Sequence, residues 1–437
     1  MIEINDVVVL GANGTMGAGS GEIFAAGGCN VVFLARSAEK AHEGLVTAQG
    51  LAKSQRLADR ISVGTYGEDL EEAVAKADLI FESLAEDIEL KKNFFTRVDR
   101  CRRPDSLVAT VSSGLSIAEM AHGRSESFRR NFLGIHLFNP PNVIVGTEVI
   151  PHAGTDPSLV PEIVRLLEKR FGRIAIVTAD KPAFAGNRVG FKVLNEVAIL
   201  AEEFGVAFAD YLIGPYTGRA MPPLATVDLV GWDVHKAIVD NVCANTNDEA
   251  HATFAMPAYM ERLLAHGHLG NKTPERGGFY RRIKEGKQTV NLVLDPQTGA
   301  YKDLRDAPVW PIAFVEEMKR LNRIGRYRDA FRVFAETSSS EAELARRVIL
   351  GYVSYGLNRV GENEVVGSAR DVDRIMGFGF NWAPPTALVD VMGVRTTIRL
   401  LEAQHLPVPR VLQQAARHPD EPMFREPHVN IGRFFAG

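Results

Sequence analysis

The chain has 437 residues and a formal net charge of −4, and 46% of its residues are hydrophobic and 24% charged. This length exceeds what one hydrophobic core usually spans, so we expect two or three domains. The nearly balanced charge gives no field that would favour nucleic acid or an anionic membrane as a partner.

The three cysteines lie far apart in the sequence and lack the spacing of metal ligands. They are Cys29, Cys101 and Cys243. This pattern predicts reduced thiols in a cytoplasmic protein, with neither a disulfide framework nor a metal site. No apolar stretch approaches the roughly 20 residues of a membrane span. A strand-like run begins almost at the first residue, so we expect no signal peptide and a soluble protein.

Short apolar runs alternate with helix-like segments in the first part of the chain. The runs are rich in Val, Ile and Leu and lie at residues 6–10, 30–35, 78–84, 107–113 and 132–137. This alternation is typical of βαβ units and predicts a parallel sheet that is buried on both faces. Further strands at 147–151 and 173–178, with a helix at 157–171 between them, would complete a sheet of seven or eight strands.

A glycine-rich loop follows the first predicted strand and precedes a helix-like segment. It contains Gly11, Asn13, Gly14, Thr15, Met16 and Gly17. Glycines allow a tight turn and let the backbone approach a pyrophosphate, which the helix N-terminus binds through free amides and its dipole. The loop therefore predicts a dinucleotide site, with a purely structural turn as the alternative. Its spacing, Gly-x-x-Gly-x-x-Gly, is one residue longer than the usual motif.

The second predicted strand leads into Arg36 and Ser37, where an NAD-specific site normally has an acidic residue for the ribose hydroxyls. A guanidinium pairs well with phosphate oxygens, so these two residues could instead contact a 2′-phosphate. Alternatively, Arg36 only covers the adenine face. The predicted cofactor is a nicotinamide dinucleotide, NAD or NADP.

The pattern changes to long helical periods after Asp180-Lys-Pro. An internal repeat follows, because Pro-Pro-Leu-Ala-Thr-Val-Asp-Leu-Val-Gly at 222–231 is echoed by Pro-Pro-Thr-Ala-Leu-Val-Asp-Val-Met-Gly at 384–393. Tandem duplication of a helical unit is the simplest account. We expect the aspartates of the two copies, Asp228 and Asp390, to cap helices.

These patterns predict an α/β fold class, with an N-terminal Rossmann-like doubly wound sheet followed by two repeated all-α domains. The predicted boundaries are 1–183 for the dinucleotide-binding domain, 184–285 for the first helical domain, 286–340 for a connector with one or two helices, and 341–437 for the second helical repeat.

An imidazole and a carboxylate fall at neighbouring strand ends of the predicted sheet. His136 lies in Gly-Ile-His-Leu-Phe-Asn-Pro-Pro, and Glu148 lies in Gly-Thr-Glu-Val-Ile. Removal of a proton from an alcohol while hydride leaves the same carbon needs a base that titrates near neutrality, and imidazole supplies one. A neighbouring carboxylate holds the ring and stabilises the imidazolium. The pair predicts alcohol oxidation or ketone reduction. The alternatives are a buried structural histidine and a simple salt-bridge partner.

Together these segments resemble the 3-hydroxyacyl-CoA dehydrogenase family over nearly the full length. Further motifs that carry the resemblance are Glu82-Ser-Leu-Ala-Glu86 with Lys91, Ser112-Ser113-Gly-Leu-Ser-Ile, Asp180-Lys-Pro-Ala-Phe-Ala-Gly-Asn187-Arg188, Asp228-Leu-Val-Gly-Trp-Asp233, and Gly270-Asn-Lys272-Thr with Gly278-Phe-Tyr. The tandem helical halves are most similar to the dehydrogenase portion of multifunctional fatty-acid oxidation proteins. We expect the chain to lack their enoyl-CoA hydratase domain.

The resemblance implies an L-3-hydroxyacyl-CoA dehydrogenase that transfers hydride between NAD(P) and the 3-hydroxyl or 3-oxo group of an acyl-CoA, as in fatty-acid β-oxidation. His136 would take the proton from the 3-hydroxyl group, and Glu148 would orient the imidazole. Ser113 and Asn187 would hydrogen-bond the reacting oxygen, although each could instead cap a helix. Single-repeat relatives form dimers, so the resemblance also implies a homodimer or a monomer whose two repeats form an intrachain pseudo-dimer.

Glu86 and Lys91 match family positions at the nicotinamide end of the cofactor and at the acyl-CoA, with solvated surface charges as the alternative. Val111 departs from the family pattern, which commonly has Asn there, and so leaves the substrate open. The alternative functions are an NADPH-dependent reductase of a different 3-oxo or polyol substrate and a non-catalytic dinucleotide-binding protein.

Overall fold

The computed structural model describes residues 2–286, 288–307, 309, 311–426 and 429–435. The chain divides into two compact units. The first comprises the residues up to Ala185 together with Phe378–Phe380. The second comprises Gly186–Gly377 and Asn381–Gly437.

The first unit is built on an eight-stranded sheet in the order β3-β2-β1-β4-β5-β6-β7-β8. Its strands are β1 (Asp6–Leu10), β2 (Asn30–Ala35), β3 (Ile61–Thr65), β4 (Leu79–Glu82), β5 (Leu107–Thr110), β6 (Phe132–Leu137), β7 (Gly146–Pro151) and β8 (Ile174–Val177). Neighbouring strands run parallel, except that β6 and β7 are antiparallel. The predicted doubly wound α/β fold is confirmed.

The sheet is buried on both faces by helices. They are α1 (Thr15–Ala26), α2 (Ala38–Ala52), α3 (Leu70–Lys76), α4 (Ile88–Cys101), α5 (Ile117–Ala121), α6 (Glu126–Arg130) and α7 (Leu159–Lys169). Along β1, Val7 and Val9 belong to one apolar cluster, and Val8 and Leu10 belong to another. Because successive side chains of a strand point to opposite faces, a strand that is apolar at every position must be covered on both sides.

The second unit is mostly helical. Its helices are α8 (Gly186–Phe204), α9 (Val206–Leu212), α10 (Pro223–Val230), α11 (Trp232–Asn245), α12 (Ala258–Ala265), α13 (Ala313–Arg323), α14 (Tyr327–Glu336), α15 (Ser340–Asn358), α16 (Ala369–Phe378), α17 (Pro385–Met392), α18 (Val394–Ala403) and α19 (Arg410–Ala415). Among the residues that the structure describes, no helix is both long enough and apolar enough to span a bilayer.

A small antiparallel sheet lies between α12 and α13 in the chain. Its strands are β9 (Tyr280–Glu285), β10 (Gln288–Leu294) and β11 (Tyr301–Asp303). The sequence patterns do not predict this sheet. Its first strand, Tyr-Arg-Arg-Ile-Lys-Glu, is largely polar and half-exposed, so it lacks the apolar run by which the buried strands were found.

The internal repeat is visible in the matching geometry of α10 and α17. Each helix begins at the second proline of a Pro-Pro dipeptide. Each ends at a glycine in the left-handed region, with φ of +103° at Gly231 and +87° at Gly393. Only glycine adopts this conformation readily, so the two copies use the same means to end the helix and turn the chain.

The repeat aspartates do not cap helices, so that prediction was wrong. Asp228 accepts the backbone N–H groups of Phe279 and Tyr280, which lie 51 and 52 residues further along the chain. Asp390 likewise accepts the N–H groups of the 423–424 dipeptide, more than 30 positions away. Both aspartates therefore bind the backbone of a segment far along the chain, and such distant partners leave no local sequence signal.

Candidate active site

The glycine-rich loop between β1 and α1 packs tightly against neighbouring backbone. Gly11 has a φ of +82°, and a Cβ atom there would lie 2.1 Å from the carbonyl oxygen of Ser83. A Cβ atom at Gly17 would lie 2.3 Å from the carbonyl oxygen of Gly11. Both positions therefore require glycine.

The other loop residues that the sequence assigns to the dinucleotide site are exposed or half-buried. Asn13, Gly14 and Thr15 are exposed, and Met16 is half-buried. Helix α1 begins after Gly14, which has no side chain to cap the free amides of the first turn. Exposed amides at a helix N-terminus, reached through a close glycine turn, fit the pyrophosphate of a dinucleotide.

Arg36 and Ser37 follow β2 and are both exposed. The Ser37 hydroxyl accepts the Lys40 backbone N–H at 3.3 Å and so caps the N-terminus of α2. This capping role of Ser37 was not among those expected from the sequence. Of the two, Arg36 is the residue whose charge would distinguish a ribose hydroxyl from a 2′-phosphate.

A buried lysine lies beside two carboxylates at the carboxyl ends of β4 and β5. The Lys91 Nζ atom is 2.7 Å from Glu82 Oε1 and 3.4 Å from Glu86 Oε2. The side chains of Lys91 and Glu82 are 1% and 0% exposed, whereas Glu86 is 38% exposed. Lys91 is therefore not a solvated surface charge, which was the alternative interpretation of the sequence.

Glu82 is a member of this cluster that the sequence analysis did not select as a site residue. It ends β4, and its two oxygens accept the Thr110 hydroxyl at 2.5 Å and the Leu84 backbone N–H at 2.6 Å. The sequence does carry a signal for Glu82. This acidic residue ends an otherwise apolar strand and stands nine residues before a lysine. A buried charge of this kind needs a partner, and Lys91 supplies it.

Glu86 connects this cluster to the end of β5. Its Oε1 atom accepts the Ser112 hydroxyl at 2.5 Å and the Ser113 backbone N–H at 2.8 Å. Desolvation by burial acts to raise the pKa of Glu86, but the Lys91 ammonium and the hydrogen bonds from Ser112 and Ser113 outweigh it and lower this pKa overall. The result is an ionised, partly exposed carboxylate that is held next to Ser113.

His136 and Glu148 meet in the antiparallel part of the sheet. They are directly paired residues of β6 and β7, so their side chains lie on the same face. His136 Nδ1 is 2.6 Å from Glu148 Oε2, and the two side chains are 3% and 0% exposed. A carboxylate partner favours the proton on Nδ1, which leaves Nε2 as the ring atom able to accept a proton.

The other oxygen of Glu148 is held by a strained turn. Glu148 Oε1 accepts the Ala185 backbone N–H at 2.9 Å. The two preceding residues, Ala183 and Phe184, have φ values of +59° and +52°. Residues other than glycine rarely adopt positive φ values, so the surrounding structure must hold this turn in place. Both carboxylate oxygens of Glu148 are thus fixed.

Aromatic rings pack around the His136 imidazole. The Phe138 ring lies 4.8 Å from it in an edge-on arrangement, and the Phe184 ring lies 5.7 Å away. Phe138 in turn contacts the ring of Phe380, with centroids 5.7 Å apart. These contacts restrict the rotation of the imidazole and exclude water from its sides.

The structure thus brings the predicted site residues of the first unit into two sets. His136 contacts Glu148, and Ser113 contacts Glu86 beside Lys91. The remaining residues belong to the glycine loop and the end of β2, or to the second unit. Asn187 lies there, on the first turn of α8, and is 6% exposed. Its position beside the other site residues stays a prediction.

Two family models match the chain. Residues 6–181 match the NAD binding domain of 3-hydroxyacyl-CoA dehydrogenase, and residues 184–282 match the C-terminal domain of 3-hydroxyacyl-CoA dehydrogenase. The glycine loop described above lies within the first match and fits the NAD that this domain binds.

Similar proteins carry related names. The chain is 29% identical over 339 residues to a probable 3-hydroxyacyl-CoA dehydrogenase of Bacillus subtilis, a match that covers 77% of this chain and 41% of the relative. The chain therefore spans less than half the length of that relative. It is also 31% identical over 254 residues to 5-formyl-3-hydroxy-2-methylpyridine 4-carboxylate 5-dehydrogenase of Mesorhizobium japonicum, a match that covers 54% of this chain and 79% of the relative.

Among solved structures, 3-hydroxybutyryl-CoA dehydrogenase from Escherichia coli K12 superposes with a TM-score of 0.69 at 22% identity. The match covers 95% of this chain and 99% of that one. At this level of identity the likeness concerns the fold, and it includes the helical part that follows the two matched domains.

Proposed function

The chain belongs to the 3-hydroxyacyl-CoA dehydrogenase family, and on that premise we propose that it interconverts a 3-hydroxyacyl-CoA and a 3-oxoacyl-CoA with NAD as cofactor. The observation that carries the proposal is the buried His136–Glu148 pair, with Nδ1 and Oε2 2.6 Å apart. A histidine that is oriented by a carboxylate is the acid–base group that such a reaction needs.

In the oxidation direction, the proton of the 3-hydroxyl group goes to Nε2 of His136 as the hydride leaves C3. Bound NAD supplies the hydride acceptor. The Glu148 carboxylate keeps the ring in the required tautomer and stabilises the imidazolium that forms. Because both side chains are almost fully buried, this attraction is screened far less than it would be in water.

Ser113 and Asn187 are the proposed donors to the reacting oxygen. A hydroxyl group and an amide stabilise a developing alkoxide or carbonyl charge without titrating themselves. The role of Ser113 is supported by its position after β5, where its backbone N–H donates to Glu86. Asn187 is supported by its match to the family motif at the start of α8.

Glu86 and Lys91 are proposed to shape the nicotinamide end of the site, and Gly11, Gly14 and Gly17 to hold the pyrophosphate.

The three free cysteines are consistent with a reducing compartment, so we place the protein in the cytoplasm. A monomer with an intrachain pseudo-dimer and a homodimer predict different masses, which light scattering after gel filtration would distinguish.

The proposal is tested by steady-state reduction of acetoacetyl-CoA with NADH and, separately, with NADPH. We expect turnover with NADH, and a loss on the order of 10²- to 10⁴-fold in the His136→Asn variant, because a positioned acid–base group contributes about that much. Failure of the wild-type protein to turn over any 3-oxoacyl-CoA would contradict the proposal.

A second candidate is a dehydrogenase of a substrate that carries no coenzyme A. The similarity to the Mesorhizobium japonicum relative and the presence of Val111 where the family commonly has Asn favour it. Activity on a free 3-oxo acid or a ring aldehyde, with none on acetoacetyl-CoA, would support this candidate. The same His136–Glu148 pair would serve both.

A further inference from the structure

Three residues from far along the chain belong to the first unit. They are Phe378, Gly379 and Phe380, called the 378–380 segment below. They follow the body of α16 and precede α17, both of which lie in the second repeat of the sequence. The segment contacts other residues of the first unit.

The backbone of the segment lies directly on the strand that carries Glu148. A Cβ atom at Gly146, the first residue of β7, would lie 2.7 Å from the Phe378 carbonyl carbon and from the Gly379 nitrogen. No side chain fits at this distance, so Gly146 permits a contact between two stretches of backbone. Glu148 follows two residues later on the same strand.

The side chains extend this contact to the imidazole. The rings of Phe380 and Phe138 have centroids 5.7 Å apart at an interplanar angle of 68°. The rings of Phe138 and His136 have centroids 4.8 Å apart at an angle of 61°. Both are edge-on pairs, which aromatic rings favour. Phe138 is only 7% exposed, so it has little space to move without its neighbours.

We infer that the 378–380 segment is a positioning element for the His136–Glu148 dyad. It supports β7 at Gly146 and supports the imidazole through Phe138. Proton transfer requires a donor and an acceptor within about 3 Å, and a misplacement of about 1 Å can cost about 100-fold in rate. Phe380 acts through Phe138 and is therefore a positioning residue. The inference rests on the function proposed above, since it assigns a role to the dyad.

The test compares Phe380→Ala, the conservative Phe380→Leu and a control, Phe204→Ala, at a residue of the second unit that is 39% exposed. Kinetics with acetoacetyl-CoA and NADH give kcat and KM. Independently of activity, protein labelled with ¹⁵N-histidine gives the nitrogen chemical shifts of His136, which are assigned by their loss in His136→Asn.

For Phe380→Ala we expect kcat to fall about 10-fold, with KM for either substrate changed by less than about twofold, because positioning acts on the chemical step. The His136 nitrogen shifts should change as well. Phe380→Leu should restore most of kcat, and Phe204→Ala should match the wild-type protein in both measurements.

If Phe380→Ala does not fold, Gly146→Ala provides the same test, since its Cβ atom would displace the segment. Wild-type kcat and unchanged His136 shifts in the folded variant would overturn the inference. If the wild-type protein lacks acyl-CoA activity while the His136 shifts still respond to Phe380→Ala, the proposed function fails and the positioning contact stands.

Discussion

His136 and Glu148 face each other across the antiparallel pairing of β6 and β7 in the eight-stranded sheet, with Nδ1 and Oε2 2.6 Å apart. Parallel strands need a long crossover between them, whereas antiparallel neighbours can follow each other directly in the chain. The reversal at β6 and β7 therefore lets residues only 12 positions apart form a buried acid–base pair.

Glu148→Gln should lower kcat by on the order of 10²- to 10⁴-fold, because an amide can donate to Nδ1 and so favour the wrong tautomer of His136. The backbone contact with Ala185 would remain, so the fold should be kept. Steady-state kinetics and a thermal melt check this. Glu89→Gln, on a side chain that is 74% exposed, is the control. A Glu148→Gln variant within threefold of wild type, about 0.7 kcal/mol, would refute the assigned role.

Lys91→Met should destabilise the protein by about 3–5 kcal/mol, because it leaves Glu82 as an unpaired buried charge. The double variant Lys91→Met with Glu82→Gln should regain most of that loss. Urea denaturation measures the free energy of unfolding. Lys76→Met is the matched control, since the Lys76–Glu72 pair is exposed and contributes about 1 kcal/mol or less. If both lysine substitutions lower the free energy of unfolding by the same amount, the buried pair contributes no more to stability than the exposed one.

Gly11→Ala should weaken NAD binding by about 10-fold or more, since an inserted Cβ atom meets the Ser83 carbonyl and a left-handed alanine costs about 1–2 kcal/mol. Titration calorimetry with NAD gives the affinity. Gly50→Ala is the control, because nothing lies within 4 Å of its Cβ position on α2. It should bind NAD normally and be about 0.5–1 kcal/mol more stable. Normal NAD affinity in Gly11→Ala would argue against the loop as the dinucleotide site.

Asp373 should make the stability of the protein depend on pH. Burial raises its pKa to about 8, although Thr386 donates both its backbone N–H and its hydroxyl to this carboxyl. The folded state then keeps a proton that the unfolded chain releases above about pH 4. This contribution to the free energy of unfolding is therefore present below that pH and is lost as the pH rises towards about 8.

Asp373→Asn removes this titration. Measured by urea denaturation between about pH 5 and about pH 9, the variant should lose less stability than the wild-type protein as the pH rises. If the two curves run parallel over this range, the raised pKa of Asp373 is wrong.

Much of the fold could be predicted from local patterns. The apolar runs of β1 and β6 and the glycine loop after β1 are continuous in sequence, so periodicity and turn chemistry locate them. Strand β3 was missed, because it lies at the sheet edge and two of its five residues are exposed. The edge position removes the apolar run that marked its neighbours.

The site was partly predictable for the same reason. His136 and Glu148 are close in sequence, and their residue types indicate the chemistry directly. Glu82 has a local signal in its spacing from Lys91, nine positions later, but its contact with Thr110 is 28 positions away and leaves no such signal. The contact of Phe380 with Phe138 is further still along the chain, and nothing in the local sequence of either residue indicates it.

The central claim is that His136, oriented by Glu148, moves the proton in a reaction on a 3-hydroxyacyl or 3-oxoacyl thioester. The most direct measurement is single-turnover oxidation of NADH by acetoacetyl-CoA in the wild-type protein and in His136→Asn, with both ligands shown to bind. The account predicts rapid turnover in the wild-type protein and a loss of about 100-fold or more in the variant. Equal rates in the two proteins would contradict it.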